Sequence, residues 1–397
     1  MAAPQVTPFP SADAPKPLSL DDDEPPLRWQ RVVHLVPPSG LGIGRRSVLF
    51  AIVTWVPIAL WALAHDRFFH ATPGEPLLQH YGVHVRCLVA IPLLIIGETT
   101  LRNVAFRYVP QFLSNGIVDD ATRPAFESTI LAFRRWRDAS LPWLFTIGVA
   151  LAWALADNAI EHEDAMSWAI DASGSIGFGG LWFAYVVRPV FLALLLGWLW
   201  RIVLLVALFV RLARLNLSFV PSHPDHAGGI GFVERFPIAF APVGLALSAT
   251  LSARWAHAIV YHGQTLTSFK FPAIMFAVVW SLLLLGPLVP LILPLLRAKQ
   301  AALPSYSAML AEQGRVARRR WIDGTTKTDT PLLEPDGIGV IADASTMYDQ
   351  VRTMRIVPIS KTSLVAILLP IAAPMLIVVA LQVPIRNLLG GLIKTLL

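Results

Sequence analysis

Thr250, Arg254, His257 and Tyr261 recur along an otherwise apolar stretch that begins at Pro237. A helix turns about 100° per residue, so it would gather all four within an arc of roughly 60°. A stripe holding a fixed cation, a titratable imidazole and two hydroxyls suits binding and passing an ion. Just before it, Ser222-His223-Pro224-Asp225-His226-Ala227-Gly228-Gly229-Ile230-Gly231 sets His223, Asp225 and His226 side by side, donors of the kind that ligate a metal. The same Asp, Gly and Pro also serve a tight structured turn. The glycines do not complete a phosphate cradle, because Glu234 stands where G-x-G-x-x-G needs its third glycine and no strand precedes the loop. The loop reads first as a rigid elbow that aims the stripe, with metal ligation as its functional alternative.

Three more ionisable residues fall inside apolar stretches: Glu98, Arg188 and Arg201. An acid in hydrocarbon is a functional position by default, because its unpaired charge is costly there. Its alternative is a structural pair with Arg102, one turn on, or with Arg201 on a neighbouring helix. The histidines gather on the same side of the chain's expected topology: His65, His70, His80, His84, His162, His257 and His262. His80, His84, His162 and His262, interleaved with Glu161 and Asp164, are positioned to titrate near neutral pH or to bind a transition metal.

The elements that must hold these groups are membrane helices. With 55% hydrophobic residues, 15% charged residues and a mean hydropathy of +0.59, the chain cannot cover a soluble globule of 397 residues with polar groups. Seven stretches are apolar enough to cross: 47–65, 87–106, 141–156, 181–210, 237–261, 272–296 and 363–383, against a need for about 20 residues each. This predicts an all-α polytopic bundle. Most of the 32 Lys and Arg fall in the N-terminal head and in the connections 107–140, 211–236 and 297–361. The opposite side holds only Arg67, Arg86, Lys270, Arg386 and Lys394, which predicts an inside N-terminus and an outside C-terminus. That bias accounts for the net charge of +6, so no nucleic-acid partner is called for.

Residues 1–46 are Pro-rich, carry Asp21-Asp22-Asp23-Glu24 and read as a disordered head. Residues 123–137 read as a surface helix rich in Arg. The fourth span is overlong and must tilt or protrude. Pro287, Pro290 and Pro294 with Gly286 predict a broken sixth span, and Pro370 and Pro374 a broken seventh. A helix continuing the sixth span is expected near 305–321 and another near 343–355. The single cysteine, Cys87, excludes an intramolecular disulfide or a Cys-based metal cluster.

Two blocks carry a resemblance. His223-Pro224-Asp225-His226-Ala227-Gly228-Gly229-Ile230-Gly231-Phe232, and Ala342-Asp343-Ala344-Ser345-Thr346-Met347-Tyr348-Asp349-Gln350-Val351-Arg352-Thr353-Met354-Arg355 followed by Pro358, resemble stretches of uncharacterised bacterial inner-membrane proteins. The resemblance covers mainly the chain beyond Arg211. It implies a bacterial source and the cytoplasmic membrane, and brings no established activity.

The residues together point to passage of a small ion, with Glu98, Arg188, Arg201, Thr250, Arg254, His257 and Tyr261 lining or gating the path and the outer histidines tuning it. The partners expected are the lipid bilayer, the ion and further copies of the chain; no cofactor is called for, and no Walker A pattern supports an ATP-driven pump. A membrane scaffold or sensor is the second reading. A lipid-acting enzyme built on His223, Asp225 and His226 is the third.

Overall fold

The fifth span is the most buried of the membrane helices, and the second and seventh spans pack along it. In this computed structural model, which describes residues 24–32, 34–37, 41–71, 74–156, 166–170, 175–323 and 336–382, seven helical runs are long and apolar enough to cross a membrane. They cover Ile43–Ala64, Tyr81–Ser114, Arg123–Leu155, Phe178–Ala213, Gly231–Tyr261, Leu266–Ala317 and Lys361–Ala380. The protein is an all-α polytopic membrane bundle. The most apolar 18-residue stretch of the fifth run is 56% buried, against 22% to 39% for the corresponding stretches of the other runs. The helices used below are α1 (Pro25–Val32), α2 (Ile43–Ala64), α3 (Tyr81–Val85), α4 (Ile91–Tyr108), α5 (Gln111–Ser114), α6 (Arg123–Arg137), α7 (Ser140–Leu155), α8 (Phe178–Trp182), α9 (Arg188–Ala213), α10 (Arg235–Ile238), α11 (Ala241–Tyr261), α12 (Lys270–Leu285), α13 (Val289–Ala317), α14 (Asp336–Thr353) and α15 (Lys361–Gln382).

Small residues let α11 pack closely against its neighbours. Pro242 starts it, where a missing N–H costs nothing, and Gly244, Ala246, Ser248, Ser252, Ala253 and Ala256 form its buried face. Gly244 lies so close to the Trp280 indole that a Cβ there would stand 2.8 Å from Nε1. The buried Ser248 hydroxyl donates to the Ile371 carbonyl of α15 at 2.5 Å. That donor serves a stretch lying between Pro370 and Pro374, and α15 runs unbroken through both prolines. The expected break in the seventh span is therefore absent. The sixth span breaks only at a single 3₁₀ turn, Gly286–Leu288, and then continues as α13 through Pro294 and Pro304.

Two further runs depart from the sequence reading. Part of the head is ordered: α1 packs Leu27 against Val36 and Leu41, and Glu24 at its start finds a buried arginine partner. The acidic run looked like solvated charge because that partner lies far away in sequence. The second and fourth spans each contain a π-helical turn, Arg86–Ala90 and Phe183–Val187. Such turns are rare and collect at functional positions. The fourth span is overlong as expected, at 36 residues.

Candidate functional site

Three polar layers cross the bundle. The first lies at the end of the molecule that carries the head. Arg46 of α2 donates from Nη1 to Glu98 Oε2 at 2.5 Å, and Arg201 of α9 donates from Nη2 to Glu98 Oε1 at 3.2 Å and to Glu24 Oε2 at 2.5 Å. The Arg46 Nε donates to Gln30 Oε1 at 2.6 Å, and the Arg201 guanidinium lies over the Trp143 and Trp198 rings. All four charged side chains are buried. Two carboxylates meet two guanidiniums, so the layer is locally neutral. Glu24, Glu98 and Arg201 line a cavity of about 80 Å³ together with Arg102 and Arg137. Glu98 is thus paired with Arg201, as one reading held, and with Arg46, which sequence spacing could not suggest.

The second layer is built of arginines: Arg86 and Arg188 are half-buried and Arg254 is exposed. Arg86 opens the π turn of the second span, and Arg188 directly follows the π turn of the fourth. Both guanidiniums lie 5.3 Å from the centre of the Phe183 ring, and Arg86 is also 5.3 Å from that of Phe191. Arg188 and Arg254 are within electrostatic range of Arg86. The Arg86 Nε is buried without a hydrogen-bond acceptor. Among the described residues no carboxylate pairs with Arg86 or Arg254. The sequence reading placed Arg86 among surface charges at a span end. In the structure Arg86 stands at the start of a π turn with its Nε buried.

The third layer closes the opposite end. His257, in the last turn of α11, donates from Nδ1 to the Gln79 carbonyl at 2.9 Å, which leaves its Nε2 lone pair free to face Glu75 Oε2 at 3.0 Å. His262, just past the helix, brings its Nε2 to 3.3 Å from the His257 Nε2 and 3.5 Å from Glu75 Oε1. His80 stacks on His257 at 4.9 Å, and the Tyr81 and Tyr261 hydroxyls stand 3.1 Å apart beside them. Burial, and then the neighbouring His257, His84 and His262, push the His80 imidazole down to about 3. His80 is therefore neutral, and its 3.6 Å approach to Glu75 is not an ion pair.

The stripe on α11 is only partly joined. His257 and Tyr261 enter this third layer, Arg254 belongs to the second, and Thr250 returns its hydroxyl to the Ala246 carbonyl of its own helix at 2.8 Å. His84 turns away from the cluster: its Nδ1 accepts from the Trp55 indole at 3.0 Å and its Nε2 donates to the Leu77 carbonyl at 3.0 Å, so both nitrogens are used within the fold. Glu161, His162 and Asp164 lie outside the described residues. The residue that sequence reasoning missed is Glu75. It is the sole acid between Asp66 and His80 in the loop that carries the histidines, which was the available signal.

The His-Pro-Asp-His loop is a clasp. Asp225 accepts backbone N–H bonds from Ala227 and Gly229 on Oδ1 and from Gly231 on Oδ2. Burial opposes ionisation of its carboxyl, but those donors and the adjacent His223 outweigh it and hold the group below its usual range. Gly229 takes φ +91°, and a Cβ on Gly231 would stand 2.9 Å from Asp225 Oδ2, so the loop needs glycine at both. Arg355 donates to the Asp225 carbonyl at 2.8 Å, and Thr353 meets His226 Nδ1 at 3.2 Å. The two blocks singled out in the sequence thus fasten to each other. With Asp225 committed to backbone donors and His226 facing Thr353, the three do not converge on one point. Comparison with protein-family models, curated proteins and solved structures finds no match to this chain.

Proposed function

We propose that this multi-pass protein passes a small anion across the bacterial cytoplasmic membrane, with Arg86, Arg188 and Arg254 as its binding layer. The observation that carries this reading is the buried Arg86 Nε without an acceptor, in a span and within electrostatic range of two further guanidiniums. An arginine costs about 2.5–3.5 kcal/mol at the centre of a membrane helix and less toward an end; Arg86 is the sixth residue of its run, and its like-charged neighbours add to the cost it carries there. Glu98 escapes the cost through its two arginines. Arg86 has stacking on Phe183 and Phe191, which leaves its charge uncompensated until an anion arrives. The positive-inside bias supports the inside N-terminus, and the flat apolar helices favour association of several copies.

The test is ion flux from liposomes loaded with chloride or nitrate, or with potassium or sodium, in neutral and in anionic lipid. Anion flux that falls about tenfold or more in Arg86→Gln and Arg254→Gln supports the reading. Liposomes that stay tight to every ion favour the scaffold reading instead, and flux confined to cations overturns the assignment of the arginine layer. The lipid-enzyme reading loses its donor set, since Asp225 is committed to backbone N–H groups.

A further inference from the structure

We propose that Glu75, His257 and His262 form a binding site for a divalent transition-metal ion, with Zn²⁺ the best-fitting class. This stands apart from the anion reading and needs no flux to be tested.

Three donor atoms from two separate segments converge: Glu75 from the loop before α3, His257 from the end of α11 and His262 from just beyond it. The carboxylate and imidazole separations are 3.0 and 3.5 Å, and the two Nε2 atoms are 3.3 Å apart. Around a tetrahedral Zn²⁺ with bonds of about 2.0–2.2 Å, neighbouring ligand atoms stand roughly 3.3–3.6 Å apart. His257 Nε2 is nearest Glu75 Oε2 and His262 Nε2 nearest Glu75 Oε1, so the carboxylate faces both imidazoles, and one donor atom from each of the three residues lies within 4.8 Å of the others. Three protein donors with a fourth position open to water is the arrangement of an exchangeable site, and His262 is 43% exposed on its side chain.

The hydrogen bonds favour a cation over an empty contact. Because the His257 Nδ1 serves the Gln79 carbonyl, neutral His257 presents a lone pair at Nε2. That lone pair faces Glu75 Oε2, itself buried without a hydrogen-bond donor. Two acceptors 3.0 Å apart repel unless a proton or a metal ion stands between them. A proton on His262 Nε2 can serve the His257 lone pair, whereas a metal ion would use all three donors at once. The carbonyl on Nδ1 also fixes the ring and its tautomer, which is the usual outer support of a metal-bound histidine. The groups facing the site are His80 and Tyr81 from the adjoining loop and α3, Tyr261 from α11, and Ser167, whose hydroxyl is 3.1 Å from His80 Nε2. None of them is a cation that would compete.

The experiment is titration of the purified, tag-free full chain in detergent with Zn²⁺ by calorimetry, and with Co²⁺ by visible spectroscopy. One Zn²⁺ per chain, a four-coordinate Co²⁺ spectrum, and affinity lower by about tenfold or more in Glu75→Gln and in His262→Ala support the site. His262 lies beyond the helix and Glu75→Gln keeps the side chain's shape, so neither variant endangers folding. His84→Ala serves as the control that should bind normally. Absence of saturable binding, or binding unaffected by either substitution, overturns the proposal and leaves a proton shared by Glu75 and His257.

Discussion

Arg201 of the fourth span is bonded to Glu24, 177 residues earlier in the chain, through Nη2–Oε2 at 2.5 Å and Nε–Oε1 at 3.3 Å. Both side chains are almost fully buried. Removing one partner of such a pair leaves the other charge in the interior, at a typical cost of 3–5 kcal/mol. Glu98 still meets Arg201, so Glu24→Gln should fall at the lower end, about 3 kcal/mol, read as a lower melting temperature in detergent. Truncation before Ile43 should do at least as much damage. A head that can be removed without loss of stability would show this contact to be incidental.

Asp225 gives a pH-dependent counterpart. Its folded-state carboxyl titrates below the ordinary value of 3.8, so its contribution is fully present above that value and is lost as the pH falls through its lower, folded value. Asp225→Asn should cost about 1–3 kcal/mol near neutral pH, because one amide oxygen cannot serve three backbone donors. The gap in melting temperature between wild type and variant should close as the pH is taken below about 4. A gap that holds constant to low pH would mean that ionisation is not what the clasp uses.

These contacts also mark where the sequence stopped being informative. All seven spans were legible, because a run of apolar residues long enough to cross has few other uses. The fastening of the His-Pro-Asp-His loop as an elbow was legible from its glycines and its aspartate. Pairings across distance were not: Arg46 and Glu24 looked like head charges facing water, and only the packing of α1 and α2 reveals Glu98 and Arg201 as their partners. Arg86 was hidden for a different reason: an arginine six residues into a span reads as an end charge facing water, and only the packing shows its Nε buried beside Phe183 and Phe191. At the histidine end only His80 and His262 of the expected set come together, beside His257. His84 turns away, His162, Glu161 and Asp164 lie outside the described residues, and counting histidines passed over Glu75, the acid beside His257 and His262.

His84 separates a structural histidine from a responsive one. With its Nδ1 held by Trp55 and its Nε2 by the Leu77 carbonyl, it is locked as the neutral Nε2–H tautomer. His84→Ala strands both partners, so thermal stability should drop by about 1–3 kcal/mol. The pH profile of anion flux should keep its shape. A shifted profile would put His84 back among the titrating groups of this end.

Gly97 and Trp198 supply the sharpest packing test. A Cβ on Gly97 would stand 2.7 Å from the Trp198 ring carbon Cζ2, a distance that side chains do not tolerate. The indole cannot swing clear, because its Nε1 donates to the Leu94 carbonyl at 3.0 Å, the Arg201 guanidinium lies 4.9 Å from its ring centre, and Phe240 meets it edge-on at 5.4 Å. Gly97→Ala should therefore cost about 1–3 kcal/mol, the usual penalty of overpacking. Trp198→Phe loses the indole hydrogen bond and destabilises on its own, but it also removes the ring edge that a new methyl would strike. Combined, the two changes should cost less than the sum of the single ones by about 1 kcal/mol or more, the size of coupling expected between residues in direct contact. Melting temperatures of the wild type, both single variants and the double variant provide that comparison. Strict additivity would mean that the α4–α9 contact relaxes at Gly97. In that case Glu98, one residue along, would not be held in register with Arg201 by this packing.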